Sequence, residues 1–260
     1  MLASYAETLG LACIPAFLLL DLLVRHRAFP APRWWRLRAL AVTVAAFFLS
    51  MAVVMAWGSL LGDFHLLPGE ALGTWGGAVV GVLVYELLHY AYHRLAHRWD
   101  PLWRWSHQLH HSAESLDAFG AYFLHPIDVV LFTTISSLVF FPLLGLNLAA
   151  GALGGAFLVF NAMFQHANLK TPRWVGYLVQ RPESHSLHHA KGIHAYNYSD
   201  LPLWDIIFGT FKNPTEMETE LGFYPGASNR LAAMLVGRDV SLPPEETKDR
   251  AGKPALEAAV

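Results

Sequence analysis

The sequence is poor in charge. Asp, Glu, Lys and Arg make up 15% of its 260 residues, while 54% are apolar. Ordinary soluble domains carry about 25% charged residues. A chain surrounded by water needs that charge, and a chain surrounded by lipid does not. Basic residues are also missing in blocks: none of the 18 Lys and Arg falls within 1–24, 39–93 or 105–169. Cysteine is nearly absent. Cys13 stands alone inside an apolar run, which excludes an internal disulfide and any cysteine-based zinc or iron–sulfur site. A metal, if bound, must be held by His, Asp or Glu. A formal net charge of −2 also leaves no basic footprint for nucleic acid.

The apolar runs come next. Residues 4–24, 39–61 and 71–92 each supply roughly the 20 residues that a helix needs to cross a bilayer, with Pro15 expected to kink the first. Residues 127–166 are too long for one crossing. The PLLGLN sequence at 142–147 is expected to turn, dividing the run near 127–145 and 148–166. That pair either crosses twice or re-enters. With five crossings, the basic groups at Arg25–Arg38, Arg94–Arg104 and from Lys170 onward all fall on one side, which the positive-inside rule makes cytosolic. No basic residue precedes the first run, so a cleaved signal peptide is not expected.

The expected fold is therefore all-α. It is an integral membrane helical bundle of four to five transmembrane helices, one pair either crossing or forming a re-entrant hairpin, with a cytosolic helical cap. The expected divisions are N-terminal transmembrane helices at 1–80, a histidine-box domain at 81–212, and a polar, flexible tail at 213–260. The N-terminus is expected outside and the C-terminus in the cytosol. A short, Ala/Leu/Gly/Arg-rich chain suggests a bacterial inner membrane. Trp99, Trp103, Trp105, Trp174 and Trp204 suit the membrane interface, and equally suit a core.

Twelve of the 14 histidines lie between His89 and His194. HYAYHRLAH places His89, His93 and His97 at i, i+4 and i+8, along one helix face. HQLHH supplies His107, His110 and His111, and HSLHH supplies His185, His188 and His189. In both, a helical turn brings the first ring to the last two. Neutral imidazole is a good ligand for Zn, Cu, Fe and Ni. The three boxes offer enough rings for two metals, and His166 offers one more. Packing so many imidazoles without metal leaves buried polar atoms or like charges to be satisfied.

Lone histidines are more often ordinary core or surface residues, and His26 and His65 are read that way. His89, His125 and His194 are secondary ligand candidates. Carboxylates near the boxes are few: Glu86, Glu114, Asp117, Asp128, Glu183, Asp200 and Asp205. No E-x-x-H pair is placed to rebuild the carboxylate-rich site of soluble di-iron bundles. Glu86 and Glu183 are expected instead to orient imidazoles through their outer nitrogens.

With HRLAH at 93–97, HQLHH at 107–111 and HSLHH at 185–189, the chain resembles the fatty acid hydroxylase / sterol desaturase superfamily of membrane di-iron enzymes. HP at 125–126, HANL at 166–169 and NYSDLPLWDIIFGTF at 197–211 add to the likeness, which covers about 82–212. The resemblance implies two iron ions held by His93, His97, His107, His110, His111, His166, His185, His188 and His189. Zinc is able to replace iron in purified protein. It also implies O2 as co-substrate, a lipid substrate taken from the bilayer, and hydroxylation or desaturation of a C–H bond. Electrons would come from a separate donor of ferredoxin or cytochrome b5 type with its reductase. Two rivals come from other classes. A zinc-dependent membrane hydrolase would need an open metal position and an activated water, and H-E-x-x-H is missing. A metal sensor or transporter would place ligands along a path near the midplane. Redox activity separates the oxygenase from both.

Overall fold

The computed structural model describes residues 1–62 and 64–244. Five long helices dominate it. α1 spans Leu2–Leu23, α2 Trp35–Leu61 and α3 Gly73–Arg98. Two short pieces follow, α4 at Asp100–Leu102 and α5 at Gln108–His111, joined by a π-helical turn at Trp103–His107. α6 covers Pro126–Leu138 and continues through a second π-helical turn, Val139–Leu143. α7 is Leu148–His166. The short helices α8 (Pro182–His188), α9 (Pro202–Ile207) and α10 (Leu231–Leu235) complete the order. Among the described residues there is no strand, only an isolated antiparallel bridge between Ala190 and Leu221.

Five segments are long and apolar enough to cross a membrane: Leu2–Leu23, Trp35–Leu61, Gly69–Arg98, Pro126–Leu143 and Leu148–His166. The protein is a multi-pass membrane protein. Its long helices leave many large apolar side chains exposed, among them Leu9, Phe48, Met55, Trp75 and Val79. That pattern suits lipid as solvent, where only the few positions packed between helices need burial.

The local sequence explains the helix ends. Asn147 caps α7 by accepting the Ala150 N–H at 2.9 Å. His125 caps α6 by accepting the Ile127 N–H at 3.1 Å, with Pro126 opening the first turn. The turn between α6 and α7 falls where PLLGLN predicts it. Gly145 takes a φ of +61° there, and a Cβ on it would sit 2.4 Å from the Leu67 carbonyl oxygen. That close approach belongs to a set of three hydrogen bonds. Leu66, Leu67 and Gly69 N–H groups donate to the Pro142, Leu143 and Leu144 carbonyls. The hairpin tip thus lies at the level of the α2–α3 loop.

At the opposite end the chain builds a cap. Trp35 and Ala39 of α2 pack with Leu109, Phe119, Phe123 and Phe223. Met234 and Val240 are fully buried in the same cluster. This corrects part of the expected flexible tail: residues 213–244 are folded into the cap. Their apolar residues follow no helical period because each fills a separate gap. The rest of that tail, 245–260, lies outside the described residues. The tryptophans divide. Trp99, Trp105 and Trp174 are exposed, whereas Trp103 packs on His97 and His111, and Trp204 donates to the Leu83 carbonyl at 3.2 Å.

α1 is tied to the cap by one buried carboxylate. Asp21 accepts the Ala118 N–H at 2.5 Å and the Asn168 N–H at 3.0 Å. Asp21→Ala leaves both donors buried and unpaired. It is expected to destabilise the protein by about 3 kcal/mol, read as a lowered unfolding temperature in detergent. An unchanged unfolding temperature would show that α1 is held by lipid-facing packing alone.

Candidate metal centre

Ligand-capable side chains collect where α3, α5, α7 and α8 meet. Two groups form, each with ligand atoms within 4.8 Å of one another. One holds His93, His97, His107, His111 and His188; the other holds His110, His166, His185 and His189. The repeated H-x-x-H-H pattern explains the division. On one turn of helix, i and i+4 share a face while i+3 is rotated from i+4 by one residue step. His107 and His111 therefore enter the first group and His110 the second. In the other box His185 and His189 enter the second group and His188 the first. Each box thus serves both groups. The His111 and His189 rings stack at 4.2 Å and 15°, which joins the two.

The hydrogen bonds fix how the rings face. His93 Nδ1 donates to the Tyr198 carbonyl at 2.6 Å, His188 Nδ1 to the Tyr196 carbonyl at 2.7 Å, and His166 Nδ1 to the Ala162 carbonyl at 2.8 Å. His107 Nδ1 donates to Asp128 Oδ2 at 2.8 Å. A carbonyl or carboxylate oxygen only accepts, so these four rings carry their proton on Nδ1 and present an Nε2 lone pair. Those lone pairs meet. His93 and His107 Nε2 atoms are 2.8 Å apart. In the second group His166 Nε2 lies 3.1 Å from His110 Nε2 and 3.0 Å from His185 Nε2. The Nε2 atoms of His97 and His188 are buried without a hydrogen-bond partner. In the first group the two lone pairs face each other, which is repulsive unless a cation sits between; in the second the Nε2 atoms of His110, His166 and His185 converge at ligand spacing, so the donor set fits metal in both groups.

Electrostatics points the same way. His110, His111, His185, His188 and His189 are held well below the ordinary imidazole value of 6.5, first by burial and then by neighbouring imidazoles. They are neutral at physiological pH, and neutral imidazole is the ligating form.

The remaining candidates have other places. His89 stacks on His93 at 5.5 Å and 5° and belongs to a third buried group with Glu86 and Asp200. His125 is the α6 cap, and its Nε2 reaches the Leu235 carbonyl at 3.4 Å. His194, with a φ of +40°, sets its Nδ1 3.1 Å from that of His111, outside both groups. Burial drives its pKa down to about 4.

Of the two glutamates, Glu86 faces the outer nitrogen of His89 alone and Glu183 faces no ring. Neither bonds one of the nine clustered rings. Glu86 accepts from Ser199 Oγ at 2.8 Å and Asp200 N at 2.9 Å, pinning the loop after the last box. Its Oε2 is 3.7 Å from His89 Nδ1. Three residues before His89, it lies on that ring's face but nearly two turns from His93. Glu183 accepts from Thr171 N and Oγ1, both at 2.7 Å, and faces buried Arg181. The carboxylate that orients a ring is Asp128, which also accepts from the Tyr92 hydroxyl. Its signal was its position in the turn after HP at 125–126. The Tyr196 and Tyr198 carbonyls are backbone groups and leave no mark in a sequence.

A cavity of about 540 Å³ adjoins the centre. His93, His107 and His110 form one end of it, and it continues between α2, α3, α6 and α7.

Residues 78–210, just over half of the chain, match the fatty acid hydroxylase family. The chain belongs to that family. It is 28% identical over 204 residues to an ornithine lipid hydroxylase from Rhizobium tropici, covering 75% of this chain and 60% of the relative. It is 27% identical over 137 residues to sphinganine C4-monooxygenase 1 from Arabidopsis thaliana, covering 51% and 53%. It is 29% identical over 157 residues to human alkylglycerol monooxygenase, covering 58% and 33%. The chain thus spans less than two thirds of these relatives' lengths. No solved structure matches it.

Two outcomes follow. Asp128→Asn removes the carboxylate behind His107 and is expected to weaken metal binding about 10- to 100-fold, measured by chelator competition; unchanged affinity would make that hydrogen bond incidental. The second concerns pH. The five depressed imidazoles bind protons in the unfolded chain at about 6.5 but not in the folded one. Stability is therefore lost as pH falls below about 6.5, by up to about 1.4 kcal/mol per pH unit for each ring. Metal-stripped protein should unfold at steadily lower temperature from pH 7.5 to 5.5, and a flat profile would contradict neutral burial.

Proposed function

We propose that the protein is a membrane di-iron oxygenase that hydroxylates or desaturates a C–H bond of a bilayer lipid. The observation that carries this reading is the convergence of nine imidazoles, four of them locked as Nδ1–H tautomers, on two adjacent positions. Five rings would hold one iron (His93, His97, His107, His111 and His188) and four the other (His110, His166, His185 and His189). When bound, the iron pair would supply O2 activation with two electrons and two protons: in hydroxylation one oxygen atom enters the C–H bond and the other leaves as water, and in desaturation two hydrogens are removed and both oxygen atoms leave as water.

The chain's own groups set the conditions for that chemistry. Carbonyls of Tyr196, Tyr198 and Ala162 and the carboxylate of Asp128 hold the rings in place. Burial keeps bulk water from the centre. The cavity beside it lets an apolar chain reach the histidines from within the bilayer. The related proteins' names, an ornithine lipid hydroxylase, a sphinganine monooxygenase and an alkylglycerol monooxygenase, support a lipid substrate. Among the described residues the basic segments flank the end of the bundle that carries the centre, which supports a cytosolic site and an outside N-terminus, and the Ala/Leu/Gly/Arg-rich composition supports a bacterial inner membrane. A separate ferredoxin- or cytochrome b5-type carrier would deliver the electrons.

The test is isotopically labelled O2 supplied to cells that express the protein. A labelled hydroxyl, or a new double bond that forms only when O2 is supplied, should appear in membrane lipid with the intact chain and fall to background with His188→Ala. Oxygenated lipid that takes its oxygen from water, or formation that persists in His188→Ala, would count against the reading.

A further inference from the structure

We propose that the cavity beside the metal centre binds a single acyl or alkyl chain with its polar linkage at the histidines and its tail pointing away. Oxidation then falls among the carbons nearest the linkage, and Gly58 and Gly155 set the chain length. The proposal rests on the lipid-oxygenase reading and extends it to substrate shape and the position attacked.

The cavity changes character along its length. At the metal end it is walled by polar groups, including Tyr85, Tyr122, Gln165 and Asp200. Gln165 gives its amide nitrogen to Asp200 Oδ1 at 2.8 Å, and its Oε1 is buried without a partner. That oxygen only accepts, so it suits a hydroxyl or amide N–H of the ligand. The far end is walled by Val54, Trp57, Leu61, Phe141 and Leu158, with no charged side chain among the lining residues there. A ligand with one polar and one apolar end fits in one direction only.

Length follows from the helices. The lining runs along α2 from Ser50 to Gly62 and along α7 from His166 back to Gly151. At about 1.5 Å per residue these are runs of about 18 and 22 Å. α2 and α7 start from opposite ends of the bundle, so the two estimates are independent and agree on a slot for one extended chain. α2 packs chiefly on α6, and α7 on α1 and α3, which leaves the slot between them.

Five glycines fall on this stretch, and they differ; Gly62 ends α2 with a φ of +50°, which itself favours glycine. A Cβ on Gly151 would come 2.6 Å from Phe141 Cζ, and one on Gly154 would come 3.0 Å from Phe140 Cζ. Those two glycines are explained by ring packing. A Cβ on Gly58 or on Gly155 would meet nothing within 4 Å, although both line the cavity. Glycine is a poor helix former, and no protein atom requires it at either place. The space in front of them is therefore available to a ligand.

The test compares the unaltered protein with Gly58→Leu, Gly155→Leu and the milder Gly155→Ala. Lipids from expressing cells are fragmented in the mass spectrometer to place the new oxygen or double bond. Lipids retained by the purified proteins are weighed separately by native mass spectrometry. The change should lie within the first few carbons from the linkage. Both leucine variants should shift products and retained lipids to chains shorter by two or more carbons, with Gly155→Ala in between. A change near the methyl end, unaltered chain lengths in both readouts, or equal loss of all lengths with retained lipids unaltered would overturn the proposal. Shorter retained lipids without any oxidised product from the unaltered protein would instead support the chain site and overturn the oxygenase reading.

Discussion

Four imidazoles in this protein have no freedom to turn their protons inward. Hydrogen bonds from Nδ1 to oxygen acceptors lock His93, His107, His166 and His188 with Nε2 lone pairs facing the centre. At 2.8 Å, the His93–His107 contact is electrostatically unfavourable until a cation is shared between the rings. The remaining architecture can be understood as the support for that arrangement. α3 and α7 bring ligands to the end of the membrane bundle, and two short helical boxes close over them. The loop at 196–198 carries the carbonyls that keep two rings in tautomer and orientation.

That loop is itself held by carboxylates. Asp205 accepts the N–H groups of Tyr198 and Ser199, both at 2.9 Å, and the Thr210 hydroxyl at 2.6 Å. Glu86, from α3, takes the next residues along. So the acidic residues near the site work mainly one step behind the ligands, on the backbone that positions them. A histidine-rich centre needs this arrangement, because carboxylates placed among neutral rings would compete for the metal. The lipid-facing helices add depth: they carry an apolar slot up to a centre that would otherwise be reached only from water.

Much of this was legible in the residues. The spans follow from apolar length and from gaps in Lys and Arg, and the structure has five helices long and apolar enough to cross. The H-x-x-H-H spacing told that each box is a helical turn. What it could not tell is which ring joins which group, since that depends on how α5 and α8 face each other. Glu86 faces only His89 and Glu183 no ring, because closeness in sequence to a histidine says nothing about where the ring's outer nitrogen points. Asp128 does that work from 21 residues beyond His107. The cavity left no sequence signal at all. It lies between α2, α3, α6 and α7, helices brought together only by the whole fold. The folding of 213–244 into the cap was hidden for a similar reason, its buried residues following no period.

The most direct test of the account is metal content and Mössbauer spectroscopy on protein purified from iron-supplemented cells, before and after dithionite and O2. The account predicts two coupled irons per chain that are reduced, then reoxidised by O2. His188→Ala should lose iron from the five-histidine position first and His110→Ala from the four-histidine position first. Two zinc ions under iron-replete conditions with no redox response, or no stoichiometric metal, would contradict it.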